Sequence, residues 1–489
     1  MKNLFKYIIV LVLFTTNTYA QQNNTLYMLN NVPQRNILNP AINHTCKMNF
    51  SGLFIPITGQ IMPPIHFNYN NNAFALKNIL YPGKGIYKDS LITPFQKGEN
   101  HNKFLQKTLK KVNYINVETH IDLFTAGYVW KDFFFTFHVT EKIESRFSFP
   151  RDLIVLAWEG NGKSFIDNEA FLSYLGFSGV HYREFAAGGS KVINDKLTVG
   201  AKAKLLFGKS NIHSKKTHLT LNTASTDFAS TINTDMAIYS SQHFFNIHEF
   251  YYDFENDSVV YKDTVFENVS VKDILFEKRN PGLGFDLGAV YKYDDKITLY
   301  ASILDLGFIR WRNNVNSFHI KGEFTWDGWS DFDFKPDDVG DSLANETGNQ
   351  FRDSLIRLFN PQHKNDAYTM MLTPKFYLGG TYQVHEKLNL GLLFRGDFFQ
   401  HRLHGGVTLS ANSDITKWFG ASLSYSIQNN SFNNFGAGLV FKAPFFQFYV
   451  VTDNYISNIW PQATRNINFR MGINLMFGCN KRQSEAMLR

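Results

Sequence analysis

Few residues in this chain are spaced for chemistry. His120 and Asp122 stand two apart, and His138 follows downstream. Side chains alternate across a strand, so the first two share a face, and His138 joins them if the next strand pairs alongside. A carboxylate beside an imidazole is the acid–base half of a hydrolase. The nucleophile is missing, because neither a serine nor a cysteine is set beside the pair by its position. Structural polar residues are the plainer reading. Gly160-Asn-Gly-Lys-Ser164 looks like the end of a phosphate-binding loop, but Ala157 stands where that loop needs its first glycine. Asp331, Asp333, Asp337, Asp338 and Asp341 form an acidic loop, yet Lys335 sits where a calcium loop needs oxygen. His401 and His404 fall on opposite faces of a strand and cannot share a metal there. No cofactor or metal is expected. That leaves Cys46 and Cys479, the only two cysteines, at opposite ends of the chain.

The elements that carry these residues share one pattern. In Asn466–Phe477 the residues Ile467, Phe469, Met471, Ile473, Leu475 and Phe477 fall on one face, and Asn466, Asn468, Arg470, Gly472, Asn474 and Met476 on the other. Phe419–Ile427 alternates in the same way, with Leu423 on the apolar face and Ser422, Ser424 and Ser426 on the polar one. Leu388–Phe398 repeats the pattern with Arg395 and Asp397 on its polar face. Alternating segments of roughly ten residues, separated by turns, mark a transmembrane barrel with lipid on one face and the lumen on the other. The fold class is therefore all-β, a transmembrane antiparallel β-barrel of about 14–16 strands with long external loops. His120, Asp122, Arg395, Asp397 and Arg470 become lumen-facing candidates. Phe124, Phe134 and Phe399 are the aromatic positions expected to point inward.

Compartment follows from the start of the chain. Lys2 and Lys6 precede the apolar run Tyr7–Phe14, and small residues lead to Ala20, as in a cleaved secretory signal. The run is too short for a membrane-spanning helix. Residues 1–20 read as the signal peptide, 21–46 as an N-terminal periplasmic or plug-like segment, 47–478 as the barrel, and 479–489 as a periplasmic tail. Lysine and arginine number 49 against 42 acidic residues, an excess too small to argue for nucleic acid. The 48 Phe and 23 Tyr fit lipid-facing rings and interfacial girdles. The expected setting is the outer membrane of a Gram-negative bacterium. Its lipid is the first expected partner, and envelope or secretion-system proteins are further candidates.

Along the chain, Lys47–Pro56 reads as the first strand and Ile65–Tyr69 as a second. Pro33 and Pro40 break any long helix before them. Val117–Val129 and Phe133–Val139 form a hairpin, and Pro150–Trp158 a short helix with Pro at its first position. Three short polar turns at Asn194, Asp294 and His385 each lead into an alternating strand, as periplasmic hairpins do. The long connections 241–281, 328–365 and 453–465 belong to the other end. Near Leu304 the alternation fails and would turn Asp305 to lipid, so either a bulge resets the register or the strand has left the membrane. The first and last strands meet where a barrel closes, which puts Cys46 and Cys479 near one rim. They either form a disulfide or remain two thiols, with Cys46 drawn into the lumen.

Leu26–Pro33 followed by Asn39-Pro40-Ala41 resembles the opening of Bacteroidota outer-membrane barrels of the PorP/SprF-like group and their uncharacterised relatives. Gly282–Lys292 and Leu304–Ile309 are similar to hairpins in those proteins. The resemblance implies an outer-membrane barrel with broad similarity to fatty-acid-transporter-like folds, and for some relatives a link to secretion and gliding. It brings no catalytic or binding residues. Three functions follow as expectations. The first is a non-enzymatic structural, binding or secretion-associated barrel. The second is a fatty-acid-transporter-like barrel moving hydrophobic small molecules. The third, disfavoured for want of a nucleophile, is an outer-membrane hydrolase.

Overall fold

The computed structural model describes residues 23–479 except 53, 56–58, 61, 83–90, 94–103, 244, 254, 257, 266–269, 271, 273–275, 327–360, 400–401, 429–430 and 461–463. Its main strands form one antiparallel sheet, which closes into a barrel. In chain order they are β1 (Met48–Ser51), β2 (Ile65–Asn71), β3 (Val112–Trp130), β4 (Phe133–Pro150), β5 (Gly176–Val192), β6 (Leu197–Thr223), β7 (Ser230–Ser241), β8 (Asn280–Lys292) and β9 (Ile297–Trp311). Then follow β10 (Val315–Trp326), β11 (Tyr368–Met371), β12 (Lys375–His385), β13 (Leu388–Phe399), β14 (Arg402–Ser413), β15 (Phe419–Gln428), β16 (Ser431–Lys442), β17 (Phe446–Thr452) and β18 (Asn466–Phe477).

Two staves of the barrel are broken strands. β1 and β2 both lie between β3 and β18, so the expected first and second strands are one interrupted stave. β11 and β12 likewise share one place beside β9. β7 and β10 do not belong to the wall. The outer half of β6 leaves the barrel to pair with β7, which pairs with β10, while the inner half of β6 pairs with β8. Counted this way the barrel has 14 staves, and β18 closes it against both β17 and the β1/β2 stave. Full closure leaves no unpaired edge for lipid to meet.

The outer face is apolar where the sequence alternates. Leu423 is 65% exposed and Leu378 61%, and Leu205, Phe285, Leu409 and Phe398 are also exposed. Trp130, Tyr293, Trp418 and Phe445 ring the end that carries the short turns, as an interfacial aromatic girdle does. Toward the other end, charge begins again on the outer wall. Glu141 pairs there with Arg183 (2.7 Å), with His181 Nε2 (2.6 Å) and with Lys209. Beyond that level, helix α3 (Arg151–Glu159) packs over the end of the barrel, with extended Pro150 as its N-cap residue. Two shorter helices, α1 (Asn24–Met28) and α2 (Arg35–Leu38), precede the first strand.

The disturbed phase at Leu304 is a bulge. The β8–β9 register shifts between Phe285 and Leu287, and Asp305 adopts φ +60°. Its backbone N–H donates to Asp286 Oδ1 at 2.8 Å. Leu304 and Asp305 are both buried, and the outward set resumes at Leu306. Asp305 therefore faces the lumen and not lipid.

The structure joins Cys46 to Cys479 in a disulfide, with Cα atoms 4.1 Å apart. Beside it, Lys47 N–H donates to Gly478 O at 3.4 Å.

Candidate functional site

The lumen is occupied by the chain's own N-terminal segment. Residues 23–45 fold there as two short helices, α1 (Asn24–Met28) and α2 (Arg35–Leu38), with Pro33 and Pro40 standing outside both. Leu26, Tyr27, Met28 and Leu29 bury an apolar stripe against Tyr377, Leu393, Val440, Tyr449 and Val451 of the wall. Tyr27 stacks on Tyr377 at 5.0 Å and meets Tyr300 edge-on at 6.1 Å. Burial pushes the Tyr27 phenol up to about 12, so it remains a neutral hydrogen-bonding group.

Polar contacts hold the segment along its length. Thr25 N–H donates to Asp453 Oδ1 (2.7 Å), and the Thr25 and Ser424 hydroxyls are 2.7 Å apart. Burial pushes the Asp453 carboxyl above its usual range. Asn39 Nδ2 donates to Tyr27 OH (2.9 Å) and to the wall carbonyl of Ala301 (3.2 Å). Gln34 and Asn474 exchange two amide hydrogen bonds, at 2.6 and 3.0 Å. Lys202 Nζ donates to Asn36 O at 2.6 Å. Gly200 and Gly288 let the backbone come this close, because a Cβ at either would run into Asn39, Pro40 or Ala41. Near the rim, His44 Nε2 lies 3.2 Å from Asn31 O, and its Nδ1 accepts from Cys46 N–H at 3.1 Å. That arrangement needs a neutral ring, and burial pushes the His44 imidazole down to about 4.

Behind the segment lies a small charged cavity of about 40 Å³. Asn23, Ile37 and Leu38 form its floor, and Glu118, His120, Asp122, Lys142, Lys204, Asp305, Lys375, Arg395 and Arg470 stand around it. Asp305 is the hub. It accepts from Lys204 (2.7 Å), Lys375 (3.1 Å) and Lys142 (3.5 Å). Lys204 also reaches Asp286 (2.7 Å), Lys142 reaches Glu184 (2.8 Å), and Lys375 reaches Glu144 (3.3 Å). Arg470 pairs with Asp122 at 2.5 Å, and Arg146 with Asp397 at 3.3 Å. Buried charges persist only when paired in this way.

The five lumen-facing candidates of the sequence all line this interior. Asp122 holds Arg470 and accepts from Thr140. His120 Nε2 lies 3.1 Å from Glu144 Oε1. Arg395 donates to Tyr377 OH at 2.9 Å. His138 faces the lumen beside Lys202, at a lower level than His120. The His/Asp pair is therefore built into ion pairs, and among the described residues no hydroxyl or thiol is bonded to His120. Of the two expected inward aromatics whose side chains are described, Phe134 is buried in the lumen. Phe124 contacts outward-facing Phe137 instead, because a bulge between Asp122 and Phe124 turns it over. Phe399's side chain, His401 and the acidic residues 331–341 lie outside the described residues. Sequence reasoning missed Lys142, Glu144, Glu184, Lys202, Lys204, Asp286, Asp305 and Lys375. Inward alternation was the available signal for all but Asp305, which a bulge turns inward, and only pairing across strands makes them one cluster.

A family model matches residues 54–453, a family of unknown function designated DUF5723. The chain belongs to that family. No curated protein matches the sequence. Among solved structures, the chain is similar to the toluene transporter TbuX of Ralstonia pickettii, at 10% identity and TM-score 0.40, covering 91% of this chain and 94% of that one. It is also similar to a FadL homologue of Pseudomonas aeruginosa, at 11% identity and TM-score 0.41, covering 95% and 100%. The fold of this DUF5723 chain rests on its own strand pairings and not on those likenesses.

Proposed function

We propose that the protein is a non-enzymatic outer-membrane barrel, exported through a cleaved signal, whose lumen is shut at rest by its own N-terminal segment. Passage or binding in the lumen then follows displacement of that segment. One observation carries the reading: residues 23–45 fill the lumen and are bonded to the wall throughout, so the barrel is no open pore. Kinship with PorP/SprF-like barrels belongs to the same proposal, since the residues that carry the resemblance, Leu26–Pro33 and Asn39–Ala41, lie in the plug. The test is conductance in planar bilayers. The mature chain should be nearly silent, and a variant lacking residues 23–45 should insert and conduct stably. An inserted deletion variant as silent as the parent would overturn the reading.

A second reading is supported by the wall beneath α1. Tyr377, Leu393, Val440, Tyr449 and Val451 would form an apolar lining once Leu26–Leu29 left it, and a hydrophobic solute could take their place. On that reading an apolar solute raises the open probability of the intact protein, while a polar one of equal size does not.

A further inference from the structure

Above the ion-paired cluster, the wall changes character. Three neighbouring strands present a square array to the lumen. Asn116, Asn70 and Asn466 form one row across β3, β2 and β18. Glu118, Asn68 and Asn468 form the next, and His120, His66 and Arg470 the third. Neighbours in a row are about 4.8 Å apart, and rows about 6.6 Å apart. All five asparagines are at most 2% exposed. Asn24 of the N-terminal helix is 1% exposed, and its neighbour Thr25 bonds Asp453, which Asn468 also reaches at 3.1 Å. Among the described residues, the oxygen and nitrogen of Asn24, and those of Asn68, are buried without a hydrogen-bond partner, as is Asn70 Nδ2. A buried amide left unmatched costs about 1–3 kcal/mol, so such groups mark a place that a polar molecule completes.

We propose that this array binds a small neutral polyhydroxylated solute, of the saccharide or polyol class. The proposal rests on the plugged-barrel reading, because the segment reaches the array at rest: Asn23 shares a cavity with Glu118, His120 and Arg470, and Thr25 bonds Asp453 beside Asn468. Two features select the ligand. The unmatched carboxamides offer a donor and an acceptor side by side, and a hydroxyl answers both with one atom. Most of the charges nearby are already spoken for. On the wall strands, Lys142, Lys204, Lys375, Arg146 and Arg470 are paired with Glu184, Asp286, Asp305, Glu144, Asp397 and Asp122. A charged solute would have to break ion pairs to gain a counter-charge, whereas a neutral one need not.

The test uses the full mature chain carrying Ser424→Lys, which places a lysine where Thr25 docks and so opens the array. Maltotriose, lactose and sorbitol are the probes, with glutamate as the charged control. Saturation-transfer NMR in detergent should show contact with at least one neutral probe and none with glutamate. In bilayers the same probe should interrupt the current reversibly. Adding Asn68→Leu or Asn468→Leu should weaken both effects tenfold or more, while Thr408→Val, elsewhere on the wall, should leave them unchanged. Contact without conduction would reject the plug reading and keep the array. Conduction with no contact from any neutral probe, or contact indifferent to Asn68→Leu, would overturn the array as a solute site and leave it a hydrated wall.

Discussion

At the scale of the residue, two groups show how placement sets chemistry. Asp305 gathers three lysines because a bulge with φ +60° turns it inward. The same carboxylate one register away would sit in lipid. His44 is the opposite case, a titratable ring kept neutral by burial, with Nδ1 already used as an acceptor. Its value is about 4 in place against 6.5 ordinarily. Released into water, the ring protonates below 6.5; docked, it does so only below about 4. Docking is therefore fully supported above 6.5, weakens as pH falls through that window, and changes no further below it. The span corresponds to on the order of 3 kcal/mol. Channel opening should rise more steeply between pH 6.5 and 4 in the parent than in His44→Gln. Parallel curves for the two proteins would remove His44 from the account. Asp453, held above its usual range beside Thr25, titrates in both proteins and cancels in the comparison.

At the scale of the element, one strand separates lipid from plug. Leu423 and Ser424 are adjacent on β15, the first 65% exposed on the outer wall, the second buried against Thr25. Leu423→Lys places charge in hydrocarbon, at about 2–4 kcal/mol near the midplane, and should cut membrane insertion. Ser424→Lys should insert normally but expel α1 and raise conductance, since the site has no room for a lysine beside the helix. Insertion scored by heat-modifiable mobility, together with bilayer current, separates the two outcomes. Matching insertion defects would mean that the facing of β15 is wrong. Alternation alone implies only that a charge at lumen-facing 424 costs much less than one at 423, and the plug contact adds the expulsion of α1.

At the scale of the molecule, closure and plugging meet at one seam. β18 pairs with β1 and β2 and ends beside the Cys46–Cys479 bridge, from which residues 23–45 turn back into the lumen. The ladder already holds the strands, so the bridge mainly tethers the N-terminal segment to the rim. Alkylation before reduction should label neither cysteine in isolated membranes, as mass spectrometry would show. Reduction should leave the barrel closed and resistant to heating in detergent while raising the frequency of opening. Full labelling of both thiols without reductant would exclude the bridge, and barrel collapse on reduction would exclude the division of labour.

Period-two alternation decided much of this in advance. A strand with lipid on one side and a lumen on the other must alternate, so Leu423 against Ser424, and Arg470 against Met471, were legible residue by residue. The short polar turns and the meeting of first and last strands were local or topological facts of the same kind. The tertiary structure alone decided what the lumen contains. Residues 21–46 carry no period, and their fit depends on glycines and carbonyls far away in the chain. Ion pairs such as Lys375–Asp305 and Arg470–Asp122 join strands whose alignment depends on register, and register depends on bulges. The bulges at Asp122/Phe124 and Phe285/Leu287 each shift a phase by one residue. That shift reversed Phe124 and rescued Asp305, because one residue of slip exchanges the two faces of a strand.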